Sequence, residues 1–163
     1  LLEYSRVGRM DYQLEEVDLN VLVKEISVLH RDLILESKGE IIFDDLPTIY
    51  AAPIPLQRVL SNLITNALKY QTPDNEAKIK IEVFDKEDYW QIDVIDNGIG
   101  IEEQFFEKIF VVFQRLHSKD KYSGTGIGLS ICRKIIENHG GKIWVSSKIN
   151  KGSTFHLTIK KQN

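Results

Sequence analysis

Residues 53–70 carry the pattern that most restricts the fold, because their apolar side chains recur every three or four positions. The apolar positions are Leu56, Val59, Leu60, Leu63, Ile64, Ala67 and Leu68. Pro53 suits the first turn of a helix, where its missing N–H has no intrahelical partner to lose. The segment is therefore predicted to be a helix with one face on a hydrophobic layer.

That layer is predicted to be a sheet, because alternating apolar segments follow the helix. The alternating residues are Ile79, Ile81 and Val83, then Trp90, Ile92 and Val94, and finally Phe155, Leu157 and Ile159. Further strands are expected at 13–19, 40–44, 48–51 and 142–147, and further helices at 20–37 (capped by Gly39), 102–108 and 126–139. The predicted fold class is an α/β (α+β) two-layer sandwich, in which about three helices cover one face of a mixed, mostly antiparallel sheet.

Composition excludes several classes of protein. The 163 residues suit one domain, and 24 acidic against 21 basic residues leave a net charge of −3, which gives no argument for a nucleic-acid partner. The single cysteine, Cys132, excludes an internal disulfide and a cysteine-rich zinc site. No apolar run approaches the roughly 20 residues of a membrane span, so no membrane contact by this domain and a cytoplasmic location are expected.

The stretch YSGTGIGLS, residues 122–130, places glycines at 124, 126 and 128 before an apolar helical pattern. It lacks the Lys-Ser/Thr pair of a P-loop and the spacing of the dinucleotide fingerprint. Free N–H groups at the start of the 126–139 helix would nevertheless favour an anion. Taken alone, the stretch fits a flexible loop equally well.

Two other polar features also have ordinary explanations when each is taken alone. In DNGIGI, residues 96–101, Asp96 ends a strand and needs hydrogen-bond donors, which its own turn or the exocyclic amine of a purine can supply. Asn62, Asn66, Lys69 and Tyr70 form a polar stripe on the 53–70 helix. This stripe can be an ordinary solvated helix face. It can also be a binding surface, in which the amides are ligands for Mg²⁺, the lysine binds phosphate and the tyrosine ring packs against a base.

Together, these motifs resemble the ATP-binding catalytic domain of sensor histidine kinases, in the superfamily shared with gyrase, Hsp90 and MutL (the GHKL or Bergerat fold). The matching segments are LQRVLSNLITNALKY for the N box, DNGIGI for the G1 box, FVVF for the F box, GTGIGL for the G2 box and GSTFHLTI for the last strand. Residues 110–131 most resemble the phytochrome-type and related PAS-linked kinases. YSRVGR resembles the end of a dimerisation and phosphoacceptor hairpin, so residues 1–12 are assigned to that hairpin and 13–163 to the catalytic domain.

The resemblance implies a role for each matching residue. Asn66 would ligate Mg²⁺ with Asn62 nearby, Lys69 would contact phosphate, and Tyr70 would lie against the adenosine. Asp96 would bind the adenine amine. Gly98, Gly100 and Ile101 would shape the pocket, and Ser153 would hold a water at the adenine. Residues at about 111–123 would form an ATP lid, in which Arg115 would contact the γ-phosphate. The positions implied around the phosphates are Gly124, Thr125, Gly126, Gly128 and Leu129.

The sequence differs from the patterns of this superfamily at two points that bear on the expected activity. Gyrase-like ATPases carry a glutamate general base at the position of Asn62, and an amide cannot accept that proton, so phosphotransfer is favoured over hydrolysis. None of His30, His117, His139 and His156 lies in the H-E-[IL]-[RK]-x-P context of a phosphoacceptor. Since the chain starts without methionine, it is taken as a piece of a longer protein with the acceptor upstream of Leu1.

The expected function is therefore that of a protein-histidine kinase domain that binds Mg²⁺·ATP. Its expected partners are its own phosphoacceptor hairpin, a response-regulator receiver domain and, in the full-length protein, a second copy of itself. The alternatives are a GHKL-type ATPase with conformational output and a degenerate, nucleotide-free interaction module.

Overall fold

Seven strands and four α-helices make up the part of the chain that the computed structural model describes, residues 12–111 and 128–162. In chain order they are β1 (Glu15–Asp18), α1 (Leu19–Leu29), α2 (Arg31–Glu36), β2 (Glu40–Ile42), β3 (Thr48–Ala51), α3 (Pro53–Lys69), β4 (Lys78–Asp85), β5 (Tyr89–Asp96), α4 (Gly128–Asn138), β6 (Ile143–Lys148) and β7 (Gly152–Lys160). Two single turns of 3-10 helix, Glu103–Phe105 and Lys108–Phe110, follow β5.

The main sheet has five strands in the order β2-β4-β5-β7-β6. The short edge strand β2 runs parallel to β4, whereas the other three neighbouring pairs are antiparallel. β1 and β3 form a separate two-stranded antiparallel sheet. The predicted mixed, mostly antiparallel sheet is confirmed, and β2 is the strand that makes it mixed.

Alternation along the strands gives the main sheet one apolar and one polar face. Side chains on the apolar face are buried against the helices; they include Ile79, Ile81, Ile92, Val94, Phe155, Leu157 and Ile159. The opposite face carries a hydrogen-bonded array in which the His156 ring contacts Asp93 and Ser146, both at 2.8 Å. The Trp144 ring stacks on the same imidazole, with 5.1 Å between the centroids.

Helix α3 lies at the centre of the helical layer. All seven of its predicted apolar positions are buried, and each is at most 5% exposed. α4 packs beside it with Ile131, Cys132, Ile135 and Ile136 buried. Because one face of α3 is fixed in the core, its opposite polar stripe is held at a constant orientation.

The single helix predicted at 20–37 is wrong, because the structure divides this segment into α1 and α2 at His30. His30 has φ −108° and ψ 26°, and its ring Nε2 lies 2.5 Å from the Ser61 hydroxyl on α3. Leu29 continues the apolar spacing of Leu22 and Ile26, which predicts that it is buried, but it is 64% exposed. The buried face of α1 is Leu19, Leu22, Val23 and Ile26 instead, and the break lets the chain turn over α3.

The end of α2 also differs from the expected glycine cap. Lys38, rather than Gly39, adopts the left-handed conformation, with φ 50°. The Lys38 and Gly39 N–H groups donate to the carbonyls of Leu35 and Ile34, which is the Schellman arrangement. A Cβ on Gly39 would lie 2.9 Å from Leu68 Cδ2, so a side chain here would require the Leu68 side chain of α3 to shift.

The helix predicted at 102–108 is likewise corrected to the two 3-10 turns. The second turn buries Phe110, which makes an edge-on contact with Phe155 of β7 and lies under the Arg133 guanidinium of α4. Arg133 also bonds Glu107 at 3.1 Å. These contacts attach the segment before residue 112 to both layers of the fold.

Candidate functional site

Asp96 ends β5 with its carboxylate held by two backbone donors. Oδ1 accepts from Gly98 N at 2.8 Å and from Ser153 N at 3.1 Å, and Oδ2 takes part in neither bond. Burial raises the pKa of Asp96 to about 6, and the two N–H bonds act in the opposite direction. The group is therefore an oriented, partly desolvated acceptor that is ionised at neutral pH.

The turn after Asp96 is pressed against the end of α3. A Cβ on Gly98 would lie 2.4 Å from the Tyr70 carbonyl oxygen, which also accepts from Ile99 N at 3.0 Å. Asn97 secures the same turn, because its Oδ1 accepts from Lys78 N at 2.8 Å and its Nδ2 donates to the Glu76 carbonyl at 2.9 Å. The predicted positions Asp96, Gly98 and Tyr70 are thus brought together.

Two further glycines allow the β6–β7 hairpin to approach this turn. Gly100 has φ 77°, and a Cβ there would lie 2.1 Å from the Lys148 carbonyl oxygen. Gly152 has φ 93°, and its Cβ would lie 2.0 Å from the Asp96 carbonyl oxygen. Gly152 was missed from the sequence; its signal is a glycine after a polar turn between two alternating strands.

Ser147 was missed as well, although it connects three parts of the site. Its Oγ lies 2.8 Å from each of Ile101 N, the Gly152 carbonyl oxygen and Ser153 Oγ. The register of β6 places Ser147 opposite Ser153. A polar residue on the inward-facing side of an otherwise apolar strand pattern is the signal that could have identified it.

The polar stripe of α3 opens toward the start of α4. Asn62, Asn66 and Tyr70 are partly exposed and Lys69 is exposed. A Cβ on Gly128 would lie 2.6 Å from Asn62 Nδ2, so the described start of α4 touches this stripe. Burial, and secondly the charge of Lys69, hold the pKa of His30 below its usual value, which places Lys69 near the α1–α2 break.

Several predicted site residues lie outside the described part of the chain. They are Arg115, Gly124, Thr125, Gly126 and all of the predicted lid except Val111. Leu129 is described and is partly buried at the start of α4. Among the described residues, no cluster of three or more His, Cys, Asp or Glu side chains is arranged to hold a metal ion. The amide oxygens of Asn62 and Asn66 are the ligands this arrangement offers to a hard cation.

Comparison with known proteins decides which family this architecture represents. Residues 51–163 match the family described as histidine kinase-, DNA gyrase B- and HSP90-like ATPase, HATPase_c. The chain belongs to this family. The chain is similar to the catalytic domain of histidine kinase ThkA, with 35% identity, a TM-score of 0.77, and 93% of this chain and 99% of that chain covered. It is therefore a catalytic domain of the histidine kinase type.

One further relative and a second structure of ThkA extend the comparison. The chain is 45% identical over 159 residues to the phytochrome-like protein Cph1 of Synechocystis sp., covering 98% of this chain and 21% of Cph1. The predicted phytochrome-type resemblance is confirmed, and the chain spans about a fifth of that relative's length. It also resembles ThkA in a complex with the response regulator TrrA, with 31% identity, a TM-score of 0.71, and 91% of this chain and 42% of that chain covered.

No helix within residues 12–111 and 128–162 is long and apolar enough to cross a membrane.

Proposed function

We propose that this HATPase_c domain binds Mg²⁺·ATP and transfers the γ-phosphoryl group to a histidine of a phosphoacceptor hairpin. The observation that carries the proposal is the placement of Asp96 among α3, the 97–100 turn and the β6–β7 hairpin. Oδ1 is committed to Gly98 N and Ser153 N, so Oδ2 is the oxygen that accepts from an exocyclic amine. A 6-amino purine supplies that amine.

The polar stripe of α3 supports the assignment of the phosphate end. Asn66, with Asn62 nearby, would hold Mg²⁺, and the fit rests on their neutral amide oxygens, since that cation prefers a few oxygen ligands together with water. The metal would neutralise phosphate charge during phosphoryl transfer. Lys69 adds a positive charge, and Tyr70 offers its ring to the adenosine.

The identity of residue 62 favours phosphotransfer over hydrolysis. An asparagine amide cannot take a proton from an attacking water, so no general base acts at this position. The γ-phosphate is proposed to be enclosed by Arg115 of the lid and by the Gly124–Gly128 segment, with Thr125 and the Leu129 N–H. Ser153 is proposed to hold a water at the base. The imidazole of the hairpin then attacks in line.

The proposed partners follow from the same chemistry. They are the phosphoacceptor hairpin to which residues 1–12 are assigned, a response-regulator receiver domain and a second copy of the full-length protein. The ThkA–TrrA complex supports a receiver partner for a domain of this type. We place this exchange in the cytoplasm, where ATP is available.

Isothermal titration calorimetry with ATP in the presence of Mg²⁺ tests the proposal. The wild-type chain should bind ATP, and Asp96→Asn should weaken binding at least about 100-fold, because a donor then faces the amine and a buried acceptor is lost. Asp88→Asn is the matched control, since Asp88 is exposed in the β4–β5 turn. Equal ATP affinity in all three proteins would refute the site.

The transfer step requires a second measurement. Radiolabelled ATP is added together with a separate hairpin domain that contains the phosphoacceptor histidine. Label should reach the hairpin with wild type and fail to do so with Asn66→Asp, whose charge changes the metal site. Multiple-turnover phosphate release without labelled hairpin would instead support an ATPase, and absence of ATP binding by the wild type would support a nucleotide-free module.

A further inference from the structure

Ser147 makes three hydrogen-bond contacts, and one pattern of donors and acceptors satisfies all of them together. Its Oγ is within 2.8 Å of three groups: Ile101 N, the Gly152 carbonyl oxygen and Ser153 Oγ. A serine hydroxyl has one proton to donate and two lone pairs that accept. The Ile101 N–H can only donate, and the Gly152 carbonyl can only accept.

These restrictions bear on whether Ser153 donates or accepts in its bond with Ser147. Ser147 gives its single proton to the Gly152 carbonyl and accepts from Ile101 N with one lone pair. When all three bonds form together, the other lone pair is left for Ser153, which then donates its hydroxyl proton to Ser147. The Ser153 hydroxyl therefore offers only lone pairs to any group in front of it.

The fixed hydroxyl lies beside the base-recognition carboxylate. Ser153 N donates to Asp96 Oδ1 at 3.1 Å, and Ser153 is 7% exposed. Ionised Asp96 also offers only acceptors. This wall of the pocket consequently presents acceptors to a bound base or to a water between them, and a keto oxygen would meet lone pairs on both sides.

We propose that Ser147 is a positioning residue for base specificity: by holding Ser153 as an acceptor, it makes the pocket favour a 6-amino purine over a 6-keto purine. This inference rests on the proposed binding of ATP. Ser147 acts through Ser153 and through the Ile101 and Gly152 backbone. Without it, the Ser153 proton is free to rotate toward a keto oxygen.

The experiment compares the dissociation constants of ATP and inosine triphosphate, both with Mg²⁺, for the wild-type chain and Ser147→Ala. Wild type should prefer ATP. Ser147→Ala should weaken ATP binding. It should also reduce the ratio of the inosine triphosphate dissociation constant to the ATP dissociation constant about fivefold, which is the effect of one neutral hydrogen bond. Ser147→Thr keeps a hydroxyl and should restore the ratio.

Two controls separate specificity from general damage. Ser146→Ala alters the neighbouring strand serine, whose hydroxyl bonds His156 on the opposite face of the sheet, and should leave the ratio unchanged. In a Ser153→Ala background, Ser147→Ala should not change the ratio further, because residues that act through one another are not additive.

The results distinguish this inference from the proposed function. If wild type binds no ATP, the proposed function fails and the inference fails with it. If wild type binds ATP and Ser147→Ala lowers ATP affinity with an unchanged ratio, Ser147 is merely structural and only the inference fails. A ratio change that persists in the Ser153→Ala background likewise overturns it.

Discussion

Replacing Asp96 by asparagine is expected to stabilise the folded domain while it weakens ATP binding. Asparagine retains an oxygen that can accept from Gly98 N and Ser153 N, so the backbone around the turn keeps its partners. What the substitution removes is a partly desolvated negative charge. The folded state gains because the desolvated charge costs the fold free energy that a neutral amide does not.

The pKa of Asp96 sets the size of the gain. Its pKa is raised from 3.8 to about 6 in the folded state. At about 1.4 kcal/mol per pKa unit, the ionised side chain costs the fold about 3 kcal/mol at pH 7 relative to a neutral group. We expect Asp96→Asn to raise the free energy of unfolding by ~1–3 kcal/mol, or the Tm by about 3–9 °C for a domain of this size.

The sign of the pH dependence gives a second observable. Between pH 3.8 and about 6 the folded state binds more protons at Asp96 than the unfolded state. The contribution of this residue to wild-type stability therefore decreases as the pH rises through that range and is constant above it. Asp96→Asn lacks this component, so its advantage over wild type grows from about pH 4 to about pH 6 and then levels off.

Urea unfolding followed by far-ultraviolet circular dichroism measures both effects, in the absence of nucleotide because a bound ligand adds its own stability. Asp88→Asn, at an exposed position, controls for the loss of one negative charge. The reasoning is refuted if Asp96→Asn is no more stable than wild type at pH 7.5, or if its advantage is the same at pH 4 and pH 7.5.

Three further predictions concern binding and the fold. ATP affinity of the wild type should fall about tenfold per pH unit below pH 6 as Asp96 is protonated; calorimetry between pH 7.5 and 5 measures it, and a flat profile would contradict it. Gly128→Ala should lower Mg²⁺·ATP affinity with little change in Tm, because its Cβ would displace the Asn62 amide; unchanged affinity would show that Asn62 is not used. His139→Phe should destabilise by ~2–4 kcal/mol in urea unfolding, because the ring accepts from Ala52 N at 3.0 Å and contacts the Ile135 carbonyl at 2.8 Å. Since burial lowers the pKa of His139, its contribution to wild-type stability should be complete above pH 6.5 and decrease below it; a variant with the same acid dependence would contradict this.

The sequence predicted the elements whose apolar period was long and uninterrupted. α3 and the strands β4, β5 and β7 were predicted because each pattern is strict and each face is buried. The break at His30 was not predicted, since apolar spacing continues through it and the contact made there is with Ser61, 31 positions away along the chain. The left-handed conformation of Lys38 was missed because glycine propensity pointed to the neighbouring residue, Gly39. In the structure, Gly39 instead lies close to the Leu68 side chain.

The candidate site likewise contains residues that could be proposed from the sequence and residues that could not. Asp96, Asn62, Asn66, Gly98 and Gly100 could be proposed from the sequence because each belongs to a motif that is continuous along the chain. Ser147 was missed, because its partners, Ile101 and the adjacent residues Gly152 and Ser153 of β7, become its neighbours only when the strands pair.

The position of β7 also has a consequence for synthesis of the protein. β7 is the last strand in chain order, yet it lies between β5 and β6, and it brings Ser153 to Asp96 from 57 positions away. A nascent chain that has left the ribosome only as far as Lys148 lacks the N–H that orients the carboxylate and has β5 as an open edge. The proposed nucleotide site is therefore complete only in a chain in which β7 has been inserted between β5 and β6.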